Sequence, residues 1–235
     1  MSEGLVARPI WILLGCTPEL RSVAARYRRE LLCVDRNPSV FDVLCSMVKP
    51  QYRERFLCAE WLRAKVPRPA DVVLGDGSIN MLPVARHAAF LRNVGRMLRP
   101  GGAALLRVHL LGPARFSTPR SVFEWYRANA RHEPVFSATR TDLDMLWVNR
   151  RTGRLNFPQF HRKMHQLHAA KIIEPDEFEA YDRLLAFNRI TLYYATREDF
   201  ERSAREHFEI AGVYHGADYA GSENHPVYLL RKTGP

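Results

Sequence analysis

The sequence predicts a doubly wound α/β fold: a mostly parallel, seven-stranded Rossmann-like sheet with a helical insertion after strand 5. Three observations carry this expectation. Short, continuous apolar runs recur through the first hundred residues, as in strands buried on both faces. Segments with apolar residues at helical spacing separate them. A glycine or an acid closes most of the apolar runs, the ending expected where parallel strands deliver ligand contacts.

Taken in order, Ile10 to Gly15 (I-W-I-L-L-G) reads as the first strand. Glu19 to Glu30 reads as a helix with Leu20, Val23, Ala24, Tyr27 and Leu31 on one face. Leu31 to Asp35 is a second strand and Pro38 to Val48 a short helix. Arg55 to Ala59 and Asp71 to Gly75 are the third and fourth strands. Val84 to Leu98 aligns Val84, Ala88, Leu91, Val94 and Leu98 as a helix that Pro100-Gly101-Gly102 stops. Ala103 to Leu110 is the fifth strand. Strands alternating with helices imply right-handed crossovers and parallel pairing.

Residues 113–190 break the pattern with helical stretches near 119–131, 157–171 and 175–188, read as a lid inserted over the strand ends of a single domain spanning 1–235. Phe116, Phe123, Trp125, Tyr126, Phe136, Trp147, Phe157 and Phe160 would pack it. Residues 198–208 form a helix, 208–215 a strand, Gly216 to Pro226 a long turn and Val227 to Arg231 a closing strand. The last two strands are expected to pair as a hairpin with one antiparallel to the sheet.

No apolar run approaches the roughly 18–20 residues of a membrane span. The apolar start reads as a first strand rather than a signal peptide, so a cytoplasmic protein without a membrane partner is expected. Cys16, Cys33, Cys45 and Cys58 form no C-x-x-C pair and read as small buried thiols. The net charge is +10, and 30 of the 35 basic residues are Arg. Residues 1–112 carry +8, residues 113–197 carry +5 and residues 198–235 carry −3, with no dense basic block. Nucleic acid is therefore possible as a partner but not favoured.

The strand ends hold the candidate chemistry. Gly15 permits a tight turn and close ligand approach. Thr17 suits an N-cap and Pro18 the first helical position. Glu19 adds a carboxylate to the first turn, which disfavours a diphosphate and suits a ligand carrying an ammonium. The G-x-G-x-x-G fingerprint of nicotinamide enzymes is absent. Asp35 follows Gly15 by 20 residues, the spacing at which a carboxylate reaches ribose hydroxyls, and Asn37 adds a polar contact. Glu60 and Trp61 offer an acceptor for an exocyclic amine and a cover for a purine ring. Gly75-Asp76-Gly77-Ser78 brings backbone close to a ligand, with Asp76 set for an amino-acid end or an acceptor. Each group also fits an ordinary role: a helix start, a surface acid beside a core tryptophan, an Asx turn.

In this order, L-L-G-C-T-P-E, V-D, A-E-W, A-D-V-V-L-G-D-G and M-L-R-P-G-G, over residues 10–110, resemble the class I S-adenosylmethionine-dependent methyltransferases. Tyr194 to Arg231 resembles that family's final helix and hairpin, so about two-thirds of the chain is covered. Cys16, Thr17 and Pro18 stand where the family's loop usually carries further glycines. G-D-G-S replaces the N-P-P-Y of many nucleic-acid amino methyltransferases. The resemblance implies S-adenosylmethionine as cofactor. Gly15, Thr17 and Glu19 would line its methionine part, Asp35 its ribose, Glu60 and Trp61 its adenine, with Asp76 and Gly77 closing the pocket. A small-molecule acceptor, anionic in view of the +10 charge, is expected. His109 and Asp76 are the candidate catalytic residues. For His109, lining the pocket without handling a proton is the alternative. An RNA acceptor, or a non-catalytic binding protein on the same fold, are the competing functions. His161, His165 and His168 share a helix face at i, i+4, i+7, but no acid lies among them in sequence. They read as a solvated or substrate-facing helix, and no metal site is expected.

Overall fold

The structure, a computed structural model, describes residues 9–47, 53–216 and 221–233. The chain start, Val48 at the end of the expected second helix, and 217–220 in the expected long turn lie outside the described residues. The chain runs β1 (Ile10–Leu14), α1 (Pro18–Arg26), β2 (Glu30–Asp35), α2 (Pro38–Met47), β3 (Glu54–Cys58), β4 (Ala70–Asp76), α3 (His87–Met97) and β5 (Leu98–Arg107). The insertion follows as α4 (Pro119–Asn129), α5 (Val135–Trp147), β6 (Arg154–Asn156), α6 (Phe157–Ala169), α7 (Pro175–Leu185) and β7 (Thr191–Tyr193). It is closed by α8 (Arg197–Arg205), β8 (Phe208–Tyr214) and β9 (Val227–Lys232).

Among the described residues, seven strands form one sheet in the order β3-β2-β1-β4-β5-β9-β8. The first five pair in parallel, and β9 pairs antiparallel with both β5 and β8. Alternation along β1 separates the two faces. Ile12 and Leu14 pack toward Phe90, Leu91 and Val94 of α3 and Phe200 of α8. Leu13 packs toward Ala24 of α1 and Phe41 and Leu44 of α2. The insertion has its own core around Phe123, Leu143, Phe160 and Tyr181. Among the described residues no helix is long and apolar enough to cross a membrane.

Several expectations are corrected. The first helix ends at Arg26, and its buried face carries Arg21 and Ala24, while Val23 and Tyr27 are exposed. Arg21 turns inward because Glu54 of β3 meets its guanidinium at 2.7 Å. The fifth strand begins before the Pro-Gly-Gly rather than after it. The segment loops out of register between Ala70↔Leu98 and Val72↔Ala103, so the turn is a bulge inside β5. Helix α5 fell outside the expected stretches because its buried positions include Thr139, Thr141, Asp142 and Asp144, which mask the apolar period. Cys16 and Cys33 are buried, but Cys58 is exposed because β3 edges the sheet.

Candidate functional site

The carboxyl ends of β1 to β4 bring most of the sequence candidates together. Gly15 adopts φ +100°, open only to glycine at low cost, and its N–H donates to the Val34 carbonyl at 2.9 Å. A side chain added at Gly15 would first meet the Trp61 ring at 3.9 Å, so there is room over the turn. Thr17 precedes α1 without a side-chain capping bond, and Pro18 starts the helix. Asp35 Oδ1 accepts from the Asn37 N–H at 2.9 Å, and Asn37 Oδ1 accepts from the Ser39 N–H at 3.1 Å. These two turns fix the carboxylate and start α2.

Asp35, Asn37, Glu60 and Trp61 line one cavity of about 290 Å³, with Met81, Leu82 and Ile190 on its other wall. Trp61 is held by an indole N–H bond to the Val34 carbonyl at 2.6 Å and packs edge-on to Phe90. A second cavity of about 590 Å³ is lined by Glu19, Gly75, Asp76 and Arg107, with an apolar floor that includes Val72, Leu74 and Leu105. In sheet order, Gly15 at the end of β1 lies between the strand ends that serve the two cavities. Asp76 is paired: Arg107 Nε donates to its Oδ1 at 2.5 Å.

A third cavity, of about 620 Å³, lies past the end of β5 and is lined by Arg107, His109, Phe136, Arg140, Thr141 and His225, among others. Arg107 thus borders two cavities. His109 and His225 face each other with ring centroids 4.2 Å apart. Burial holds the His109 imidazole well below its ordinary range, aided by His225, Arg107 and Arg140. His225 is pushed down to about 4, first by burial and then by the two guanidiniums. Gly77, at φ +61°, lies against His109, whose Nε2 a Cβ would meet at 3.3 Å.

Residues that sequence reasoning missed complete this frame. Ser78 Oγ donates to the Leu14 carbonyl at 2.6 Å, tying the β4 loop to the end of β1. Asn80 is fully buried. Its Nδ2 donates to the carbonyls of His109 at 2.7 Å and Tyr193 at 2.8 Å, and its Oδ1 accepts from the His109 N–H at 2.9 Å. The insertion supplies Arg140, which pairs with Asp144 and lies over the Phe157 ring at 4.4 Å. Tyr194 donates its hydroxyl to Asp144 at 2.5 Å. One signal could have found His225. The hairpin sets Arg107 opposite Val227, so two residues further on His109 stands opposite His225.

Asp182 of α7 reaches the histidines of α6: His161 Nε2 lies 2.6 Å and His165 Nε2 3.7 Å from its Oδ1. The acid missing from the linear pattern is thus supplied by the next helix. His168 instead stacks on Phe178, with centroids 4.5 Å apart.

No protein-family profile and no curated protein matches the sequence. Solved structures do resemble the chain. The N-methyltransferase NodS from Bradyrhizobium japonicum WM9, in complex with S-adenosyl-L-homocysteine, superimposes with a TM-score of 0.53 at 10% identity, covering 97% of this chain and 80% of that one. A SAM-dependent methyltransferase from Methanosarcina mazei gives 0.55 at 12% identity, over 97% and 94%. A Rhodobacter sphaeroides protein named for the Zn-dependent alcohol dehydrogenases gives 0.60 at 14% identity, over 99% and 87%. Strand order decides the kind of sheet. A dinucleotide-binding Rossmann sheet continues in parallel past its fifth strand, whereas here β9 enters antiparallel between β5 and β8. With the Gly15, Asp35 and Gly75-Asp76-Gly77 turns at successive strand ends, the chain has the fold of the class I S-adenosylmethionine-dependent methyltransferases.

Proposed function

We propose that this chain is an S-adenosylmethionine-dependent methyltransferase acting on a small-molecule acceptor. One observation carries the reading. An acid on the β2 end with an acid and an aromatic after β3 line one cavity, a glycine-flanked acid after β4 lines a second, and the β1 strand that ends in Gly15 lies between β2 and β4 in the sheet. These residues fit the cofactor's parts. Asp35 would hold the ribose hydroxyls, with Asn37 beside it, and Glu60 and Trp61 would flank the adenine. Gly15 and Thr17 would let the backbone approach. At the second cavity the Glu19 carboxylate would meet the ammonium of an amino-acid tail, and Arg107, whose Nε serves Asp76, keeps further N–H groups for the tail's carboxylate.

The bound cofactor supplies a methyl group already activated by its sulfonium. What remains for the protein is to position the acceptor and take up a proton. His109 lines the third cavity as a neutral imidazole whose ring nitrogen can accept a hydrogen bond from the acceptor, while burial disfavours the imidazolium that full proton uptake would form. Asn80 fixes its backbone from both sides. Asp76 acts through Arg107, holding that guanidinium at the border between the tail cavity and the acceptor cavity. Arg107 Nε serves Asp76, and the rest of its planar fork suits an anionic acceptor. The α5 wall, with Phe136 and Arg140, makes the insertion the lid that selects the acceptor.

Calorimetric titration with S-adenosylhomocysteine tests the reading. A saturable one-to-one heat is expected, weakened about tenfold or more in Asp35→Asn through loss of charge-assisted bonds. No heat at millimolar ligand would overturn it. Formation of S-adenosylhomocysteine from S-adenosylmethionine in the presence of small carboxylic acids separates an enzyme from a binding protein on the same fold.

A further inference from the structure

Two helices of the insertion converge on a point far in sequence from the strand ends. On α6, His161 and His165 sit one turn apart on one face, and on α7 Asp182 faces them. His161 Nε2 lies 2.6 Å from Asp182 Oδ1 and 3.2 Å from His165 Nε2, while His165 Nε2 lies 3.7 Å from the same oxygen. The carboxylate only accepts, and each imidazole can present Nε2 either as an N–H donor or as a lone pair. With both rings as Nε2–H donors the two histidines share the Asp182 carboxylate; with both as lone pairs the three atoms form a compact donor set that a cation between them satisfies. Edges of 2.6, 3.2 and 3.7 Å bracket the roughly 3.3 Å separating ligand atoms around tetrahedral zinc with bonds near 2.0–2.1 Å.

The surroundings agree. Lys163, two positions from each histidine, turns away to lie over Trp147 at 5.0 Å. His165 is braced edge-on by Phe178 at 4.8 Å between ring centroids. The side chains of His165 and Asp182 are 55% and 40% exposed, so a further coordination position opens to water, whereas His161 at 17% anchors the inner side.

We propose that His161, His165 and Asp182 form a binding site for zinc or a similar borderline divalent cation, clipping α6 to α7. Two imidazoles at i, i+4 plus one carboxylate and water are a donor set suited to such ions. The clip would stiffen the α6–α7 pair, beyond which the chain runs on through Ile190, a wall of the cavity that holds Asp35 and Trp61. This inference does not depend on the methyltransferase reading.

The test is calorimetric titration of the full chain with zinc chloride near pH 7, with cobalt(II) chloride absorption as a second readout. Zinc should bind one per chain and raise the melting midpoint, and cobalt should give the visible bands of a low-coordinate N/O site. His165→Ala and Asp182→Asn, both at half-exposed positions, should each weaken zinc by about tenfold or more and abolish the cobalt bands. His168→Ala, on the same helix but stacked on Phe178, should change neither. No saturable zinc binding, or undiminished affinity in either ligand variant, would overturn the proposal. Binding that survives through the exposed Cys58 thiol would show itself in the second way.

Discussion

Asn80 is the most consequential side chain that lies outside every cavity wall described above. It joins the β5 extension, through both backbone groups of His109, to the carbonyl of Tyr193 on β7, with bonds of 2.7, 2.9 and 2.8 Å. Replacing it by alanine strands one N–H and takes the donor from two carbonyls, in a place with no exposure of the original side chain. A buried polar group left unpaired costs about 1–3 kcal/mol. One stranded donor and two weakened acceptors therefore cost about 3–5 kcal/mol. For a chain of this length each kcal/mol lowers the melting midpoint by about 2–4 °C, so a fall of about 10 °C is expected for Asn80→Ala. The loss should also be local. Amide exchange at His109, whose N–H the side chain accepts, should accelerate more than exchange within β1 or β2. Scanning calorimetry with residue-resolved hydrogen exchange reads both quantities. A midpoint within about 2 °C of the parent chain, or acceleration spread evenly over the sheet, would refute the claim that Asn80 couples the insertion to the β5 end.

His87→Gln should flatten the acid limb of stability. His87 is buried with its ring bonded to the Leu82 carbonyl, and burial lowers it from 6.5 to about 4. Between those values the unfolded chain binds the extra proton, so the parent loses stability as pH falls from about 6.5 to 4, by about 3 kcal/mol from this group. Urea midpoints of the two chains should converge over that window, and parallel curves would sink the assignment. Gly77→Ala must place a side chain at φ +61° with its Cβ 3.3 Å from His109 Nε2. It should cost about 1–2 kcal/mol and move the His109 imidazole resonance, and an unmoved resonance would show that the ring does not rest on this turn.

The sheet was legible because β1, β2 and β4 are buried on both faces and so are written as uninterrupted apolar runs. The strand ends could be read from Gly15, Asp35 and Asp76, since turn chemistry is local. What could not be read depends on partners distant in sequence. Arg21 is not among the apolar residues that mark the first helix in sequence, and it turns inward only because Glu54, on another strand, meets it. Helix α5 buries Thr139 against the Tyr181 hydroxyl and Asp144 against Arg140 and Tyr194, so its inward face lacks an apolar stripe. Strands β6 and β7 are three residues each, too short for any period to show.

The same pairings settle how the +10 charge is to be weighed. A basic surface for nucleic acid needs guanidiniums presented outward and uncompensated. Several of the arginines that could have built one face carboxylates within the fold instead. Arg21 meets Glu54, Arg107 meets Asp76, Arg115 meets Asp142, Arg127 meets Glu177 and Arg140 meets Asp144. Two also lie on aromatic rings, Arg115 over Trp125 at 4.1 Å and Arg140 over Phe157 at 4.4 Å. These groups set the shape of the insertion and of the β5 end, where a planar, always charged fork is worth more than a lysine because it can pair and stack at once. Arg107 differs from the other four in place rather than in pairing: it borders both the second and the third cavity. The basic charge that reaches the cavities is therefore largely paired inside the fold, with Arg107 standing at a border between two of them.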